Sequence, residues 1–482
     1  MNVPIPMRFS LLGLMLPISA PSRAQAEMQY STSALRDEVL SLPGLASRPP
    51  FRHFSGYLHV DGATNGSVAI HYWFTASESN PSSDPLVYWT NGGPGCSGLI
   101  GLMAEQGPFR PGADLSISLN PHRWNRIANV LFVEQPCGVG FSYSKSPSDY
   151  YSSDEKSAHV NYNTIVKFLE KFPSLRQNDL IIASESYGGH YVPLLAKEIL
   201  LGNNFLSTKI NLKGMMVGNP FVNVESGYPS MIETLWGHQL LPQREYLQFK
   251  GNCSDEAAYM TEPCIHSAWK LYSFIGELNP YALDFGICPT SEYDKRYFNA
   301  QRVQLLQYIF NSAFQTYKPR LRGTLLDAVK LPYEVCEDNY VKDYLNSLDV
   351  KRALHVEDSI EWEACSKSLI YAKSDTVKSV VNTYSELVYN STIDILIYSG
   401  DDDAICGTIG TQKWLQNLQL TPEEQYNWKA FYADGNVEGY LSRYQGTKLK
   451  FLTIHGAGHE VPTYTPATAF EMFSRFLSQN WI

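Results

Sequence analysis

Asp179-Leu-Ile-Ile-Ala-Ser-Glu-Ser186-Tyr-Gly188-Gly-His-Tyr-Val-Pro193 is the stretch that decides how this chain is read. A short apolar strand runs into small-x-Ser-x-Gly, and an amphipathic helix follows. Such a strand–turn–helix lifts one hydroxyl clear of a sheet, and its flanking residues must be small because the backbones crowd together there. The helix N-terminus also turns partial positive charge toward the place where an oxyanion would form. Ser186 is therefore the candidate nucleophile. Ser184 stands where the pattern usually has glycine and is itself poorly spaced for the role. The bland alternative, a Ser/Gly loop that merely ends a strand, is disfavoured by the signals on both sides.

Outward from this turn the chain repeats the same rhythm. Pro85–Thr90, Asn129–Val133, Met215–Val217, Ile393–Tyr398 and Leu449–Ile454 are short, nearly continuous apolar runs, as strands buried on both faces require. Phe54–Val60 and Val68–Thr75 alternate around Asp61-Gly62 and Asn65-Gly66, which predicts an antiparallel hairpin. Ser153 is placed to cap a helix with Ala158, Tyr162, Ile165, Val166, Leu169 and Phe172 on one stripe. Thr465-Pro466 opens a last helix bearing Phe470, Phe473 and Phe476. Alternating strands and helices predict an α/β fold with a mostly parallel central sheet flanked by helices. Residues 221–384 break the rhythm and are expected to form a mainly helical insertion between core segments 27–220 and 385–482.

A serine needs a base, and the base an orienting carboxylate. On a sheet of this kind the chain order is Ser, Asp/Glu, His, the last two following late strands. Ser399-Gly-Asp-Asp-Asp403-Ala-Ile-Cys406 places acids after one such strand, and His455-Gly-Ala-Gly-His459 follows another. His459 is preferred as base because His455 still belongs to the strand's alternation.

The chain has 482 residues with 38 Lys+Arg against 48 Asp+Glu, a net charge of −10. That balance argues against a nucleic-acid partner and against electrostatic attachment to acidic membranes. Its 13% aromatic content separates it from disordered acidic chains. Arg8, the apolar run Phe9–Leu16 and the small residues up to Ala26 predict a secretory signal over 1–26; the run is too short to span a bilayer, which takes about 20 residues. No other segment reads as a membrane anchor. The eight cysteines suit an oxidising route. Asn65, Asn252 and Asn390 begin glycan acceptor triplets. Neither C-x-x-C nor HExxH spacing occurs, so no metal or other cofactor is expected.

Asn91-Gly-Gly-Pro-Gly-Cys96-Ser-Gly98, Gln135-Pro-Cys-Gly-Val-Gly-Phe-Ser-Tyr143, Ser-Glu-Ser186-Tyr-Gly-Gly-His-Tyr and Gly-Ala-Gly-His459-Glu-Val-Pro, in that order, resemble the serine carboxypeptidase family of carboxypeptidase Y and cathepsin A. The resemblance runs from about Phe51 to the C-terminus. It implies an α/β-hydrolase fold with a helical cap, and release of C-terminal residues from peptides and proteins. It assigns Ser186, Asp403 and His459 to the catalytic triad, Asp403 because it lies three residues before Cys406. It gives the oxyanion hole to the amides of Gly93 and Tyr187, and the grip on the substrate's terminal carboxylate to Asn91, Gly92, Glu105 and Glu185. Without it, Glu105 would read as a solvated acid on a helix face. It further implies the pairs Cys96–Cys365, Cys253–Cys264 and Cys288–Cys336, with Cys137 and Cys406 left as thiols. Acid pH, a secreted, lysosomal or vacuolar location and a monomer or homodimer complete the expectation. A same-fold acyltransferase or lyase, and a secreted binding protein without catalysis, are the rival readings.

Overall fold

Residues 30–62, 67–205, 209–254, 258, 261–276, 278–288 and 336–481 are described by a computed structural model. The expected leader over 1–26 and the triplet at Asn65 lie outside them. Ten strands form one sheet: β1 (His53–Asp61), β2 (Ser67–Thr75), β3 (Leu86–Trp89), β4 (Asn129–Val133), β5 (Leu180–Glu185), β6 (Leu212–Gly218), β7 (Asp394–Gly400), β8 (Lys429–Ala433), β9 (Asn436–Arg443) and β10 (Leu449–Ile454). Their spatial order is β1-β2-β4-β3-β5-β6-β7-β10-β9-β8. The six strands from β4 through β10 pair in parallel, and antiparallel pairs close both edges.

The parallel centre follows from composition. Every residue of β3, β4, β5, β7 and β10 is buried, and successive side chains serve opposite faces. Val87, Phe132, Ile181 and Leu396 enter one core; Tyr88, Leu131, Ile182 and Ile397 enter the other. Each face needs a helical cover. On one side lie α2 (Asp154–Lys171), α3 (Gly188–Gly202), α8 (Val381–Asn390) and α9 (Thr408–Gln416), through residues such as Phe168, Leu195, Tyr384 and Trp414. On the other lie α1 (Leu99–Ala104), α7 (Glu337–Asn346) and α10 (Pro466–Ser478), through Leu102, Tyr344 and Phe473. Ser153 caps α2, its hydroxyl accepting from Lys156 N at 3.2 Å. The α/β-hydrolase fold is thus present.

Between β6 and β7 the chain adds no strand to the large sheet among the described residues. Here α4 (Val224–Gly237), α5 (Gln243–Asn252) and α6 (Glu262–Tyr272) gather a separate apolar cluster that includes Met231, Leu235, Phe249, Ile265 and Leu271. Residues 336–390 behave differently: α7 and α8 are built into the two main cores. The edge hairpin β8–β9 has no counterpart among the strands read from sequence. Among the described residues, no helix is long and apolar enough to cross a membrane.

Candidate active site

Ser186 sits between β5 and α3 at φ +59, a left-handed conformation that side chains rarely adopt. Backbone bonds hold it there: Ser186 N donates to Gly218 O at 3.0 Å, and Ser186 O accepts from Gly189 N at 2.9 Å and Phe221 N at 2.8 Å. A methyl group on Gly188 would lie 2.0 Å from Ser184 Oγ, and one on Gly189 would lie 2.2 Å from Phe221 O. The extra hydroxyl of Ser184 is therefore accommodated because position 188 carries no side chain.

The three consecutive aspartates after β7 go three separate ways. Asp401 Oδ2 pairs with Nδ1 of exposed His455 at 2.8 Å. Asp402 Oδ2 accepts from Asp284 N at 2.9 Å. Asp403 is fully buried, and its Oδ2 takes the Nδ1–H of His459 at 2.6 Å and Asn219 Nδ2 at 2.8 Å. The amides of Ile405 and Cys406 add bonds at 2.7 and 3.2 Å. A carboxylate with this many donors is a fixed anchor for the imidazole. The acid and base loops touch through backbone, since a methyl on Gly400 would meet Ala457 O at 2.3 Å and Gly458 O at 2.4 Å. His455 lies just beyond β10 and faces solvent, away from this contact.

Ser186 neighbours the Cys406 thiol. The Cys406 sulfur and a ligand atom each of His459 and Asp403 lie within 4.8 Å of one another. His459, Asp403 and Cys406 thus form one buried cluster, with half-buried Ser186 at its edge. Burial, followed by Asp403 and Glu185, pushes the Cys406 thiol well above its ordinary pKa, so it stays neutral. Burial alone would depress His459, but Asp403, Glu460 and Glu105 outweigh it and raise the imidazole above its ordinary value.

The Asn91–Gly98 loop lies against the turn. A methyl on Gly92 would be 2.5 Å from Tyr187 N and 2.8 Å from Ser186 Cβ. Gly93 adopts φ +113, which favours glycine. Asn91 Nδ2 donates to Glu105 Oε1 at 2.7 Å and to Glu185 Oε1 at 2.8 Å. Its own Oδ1 is held by Trp89 Nε1 at 2.8 Å. Far from being a solvated helix-face acid, Glu105 is wholly enclosed, as is nearly all of Glu185. Among the described residues no donor reaches Glu105 Oε2 or Glu185 Oε2, and the two carboxyls neighbour each other. Two like charges cannot both persist cheaply at such a contact, so a proton is retained. Burial, then Glu460, raises Glu105 to about 8. Glu185 is raised well above its usual range by burial, Glu105 and Glu460.

Other residues at the site carried no signal in the sequence reading. Asn219, at φ +37, clamps the acid loop by bonding Asp403 and exchanging bonds with Gly400 at 2.9 and 3.2 Å. Its place just after β6, in a conformation asparagine tolerates, was the available clue. Buried Glu134 accepts from His71 Nδ1, Trp362 Nε1 and Phe141 N, each at 2.8 Å, and from Ser97 Oγ. It thus braces the loop that bears Gly92. Asp154 gathers Tyr187 OH, Tyr371 OH and His190 Nδ1, all at 2.8 Å, behind the nucleophile turn.

Disulfides join Cys96 to Cys365, Cys253 to Cys264 and Cys288 to Cys336, while Cys137 and Cys406 are buried thiols. Asn390 is exposed at the end of α8, whereas Asn252 is half-buried, its amide donating to Pro263 O at 3.3 Å.

Comparison with known proteins gives concordant results. The family model described as serine carboxypeptidase matches residues 43–479. A serine carboxypeptidase-like protein 27 from Arabidopsis thaliana is 34% identical, with 98% of each chain covered. The lysosomal protective protein of Mus musculus is 33% identical, again over 98% of each chain. Among solved structures, the prohormone-processing carboxypeptidase Kex1Δp from Saccharomyces cerevisiae superposes with a TM-score of 0.71 at 20% identity, covering 92% of this chain and 96% of that one.

Proposed function

We propose, from the premise that this chain belongs to the serine carboxypeptidase family, that it releases C-terminal residues with Ser186 as nucleophile, His459 as base and acid, and Asp403 as the anchor of the imidazole. Ser186 Oγ attacks the last peptide carbonyl while His459 Nε2 takes its proton. The amides of Gly93 and Tyr187 hold the oxyanion. His459 then protonates the departing amino acid, and water cleaves the acyl-enzyme by the same route. Asn91, the Gly92 amide, Glu105 and Glu185 grip the free terminus. Of the insertion expected over residues 221–384, the 278–288 stretch lies at this site, where His459 N donates to Tyr281 O at 2.7 Å. The expected leader puts the chain on the secretory route, toward a secreted, lysosomal or vacuolar location.

The single observation that carries this reading is the buried Glu105–Asn91–Glu185 cluster beside Ser186. An endopeptidase has no use for two enclosed carboxyls that keep a proton. A protonated carboxyl donates to an incoming carboxylate, whereas an ionised one repels it. The sign follows from the raised values. Below about pH 8 the pair holds its proton, and as pH rises through that value the proton is lost. KM for a peptide with a free terminus is therefore expected to rise across pH 7 to 9, while KM for its C-terminal amide stays flat. Parallel KM profiles for the two substrates would remove the assignment. The same pair supports work at acid pH. His459 opposes it, since the acids around the imidazole favour its protonated form, and a proton on Glu105 relieves one of those charges.

A further inference from the structure

We propose that His238, Asp284 and Asp402 form a binding site for a transition-metal dication of the zinc type, distinct from the catalytic residues but sharing the loop that carries Asp403. One ring nitrogen and two carboxylate oxygens from these residues lie within 4.8 Å of one another. They come from three segments: the C-cap of α4, the 278–288 stretch and the turn after β7.

Asp402 supplies the strongest evidence. It is only 1% exposed, and among the described residues its Oδ1 has no hydrogen-bond partner. A buried carboxylate oxygen without a donor is costly and calls for a compensating cation. Among the described residues neither Asp402 nor Asp284 pairs with lysine or arginine. The group facing Asp402 Oδ1 is His238 Nδ1, 3.9 Å away. The opposite ring atom, His238 Nε2, lies 3.2 Å from Asp401 O. A carbonyl oxygen only accepts, so Nε2 carries a hydrogen, and in the neutral ring Nδ1 presents a lone pair toward the carboxylates. A backbone carbonyl that fixes the tautomer in this way is the usual support of a metal-binding histidine.

One imidazole and two carboxylates, completed by water, suit zinc-type ions at metal–ligand distances of about 2 Å. His238 is exposed and can close that gap by a small movement. C-x-x-C or HExxH spacing could not reveal this set, because its members meet only in the folded chain. The consequence is local stiffening. The 278–288 segment already binds both catalytic loops, through Leu283 N to Asp402 O at 3.1 Å and His459 N to Tyr281 O at 2.7 Å. A metal would tie α4 to the same junction.

The test is calorimetric titration of the chelator-treated full chain with ZnCl2, with thermal unfolding at several zinc concentrations. One saturable site is expected, with a Tm that climbs with zinc concentration. His238→Ala and Asp402→Asn are each expected to weaken binding tenfold or more. His455→Ala, which alters only the neighbouring exposed pair, should bind zinc like the parent. Absence of a saturable site in the parent chain, or unchanged affinity in both His238→Ala and Asp402→Asn, would overturn the proposal.

Discussion

Ser186→Ala is expected to lower kcat by about a millionfold, with the fold intact. The hydroxyl is the only atom lost, and the backbone bonds from Gly218, Gly189 and Phe221 that set the turn do not involve it. Labelling by a fluorophosphonate should disappear in the same variant, which separates an enzyme from a binding protein on the same scaffold. The aspartate run allows a sharper comparison. Asp403→Asn removes the charge that anchors His459 and is expected to reduce kcat about 10,000-fold. Asp401→Asn, which disturbs only the exposed His455 and the Gly456 amide, should stay within a few-fold of the parent. Equal losses in the two would mean that the acid has been misassigned.

Gly92→Ala is the second large effect. The added methyl would sit 2.5 Å from Tyr187 N and 2.6 Å from Glu185 O, closer than real contacts permit. The loop must move, and with it go the oxyanion site and the grip on the terminal carboxylate. Loss of one oxyanion donor costs about 100- to 1,000-fold in kcat, and KM for free-acid peptides should rise as well. Gly237→Ala is the control, since nothing lies within 4 Å of the added atom. Overpacking at position 92 is expected to cost about 1–3 kcal/mol of stability, so kinetics and Tm should be measured together. Activity of Gly92→Ala within threefold of the parent would contradict this placement of the loop.

Much of the fold was legible because a doubly buried parallel strand leaves a continuous apolar run, as at Asn129–Val133 and Leu449–Ile454. The edge hairpin was not, because β8 and β9 are only half covered, with Tyr432, Val437 and Tyr440 exposed. Its one local signature was Asp434-Gly435, both at positive φ, a turn pair suited to joining antiparallel strands. At the site, Ser186 and His459 carried their own local patterns. Glu105 did not: a single acid after Ala104 reads as surface until the fold encloses it against Asn91 and Glu185. Asn219, Glu134 and Asp154 were silent for the same reason. Their roles depend on partners far away in the chain, such as Asp403, Trp362 and Tyr371.

The sharpest single measurement is mass spectrometry of one peptide offered with a free and with an amidated C-terminus near pH 5. Stepwise loss of single residues from the free-acid end, with the amidated form cleaved far more slowly, is the expected result. Internal cleavage, or equal trimming of both forms, would contradict a site built around Ser186 to hold a chain end.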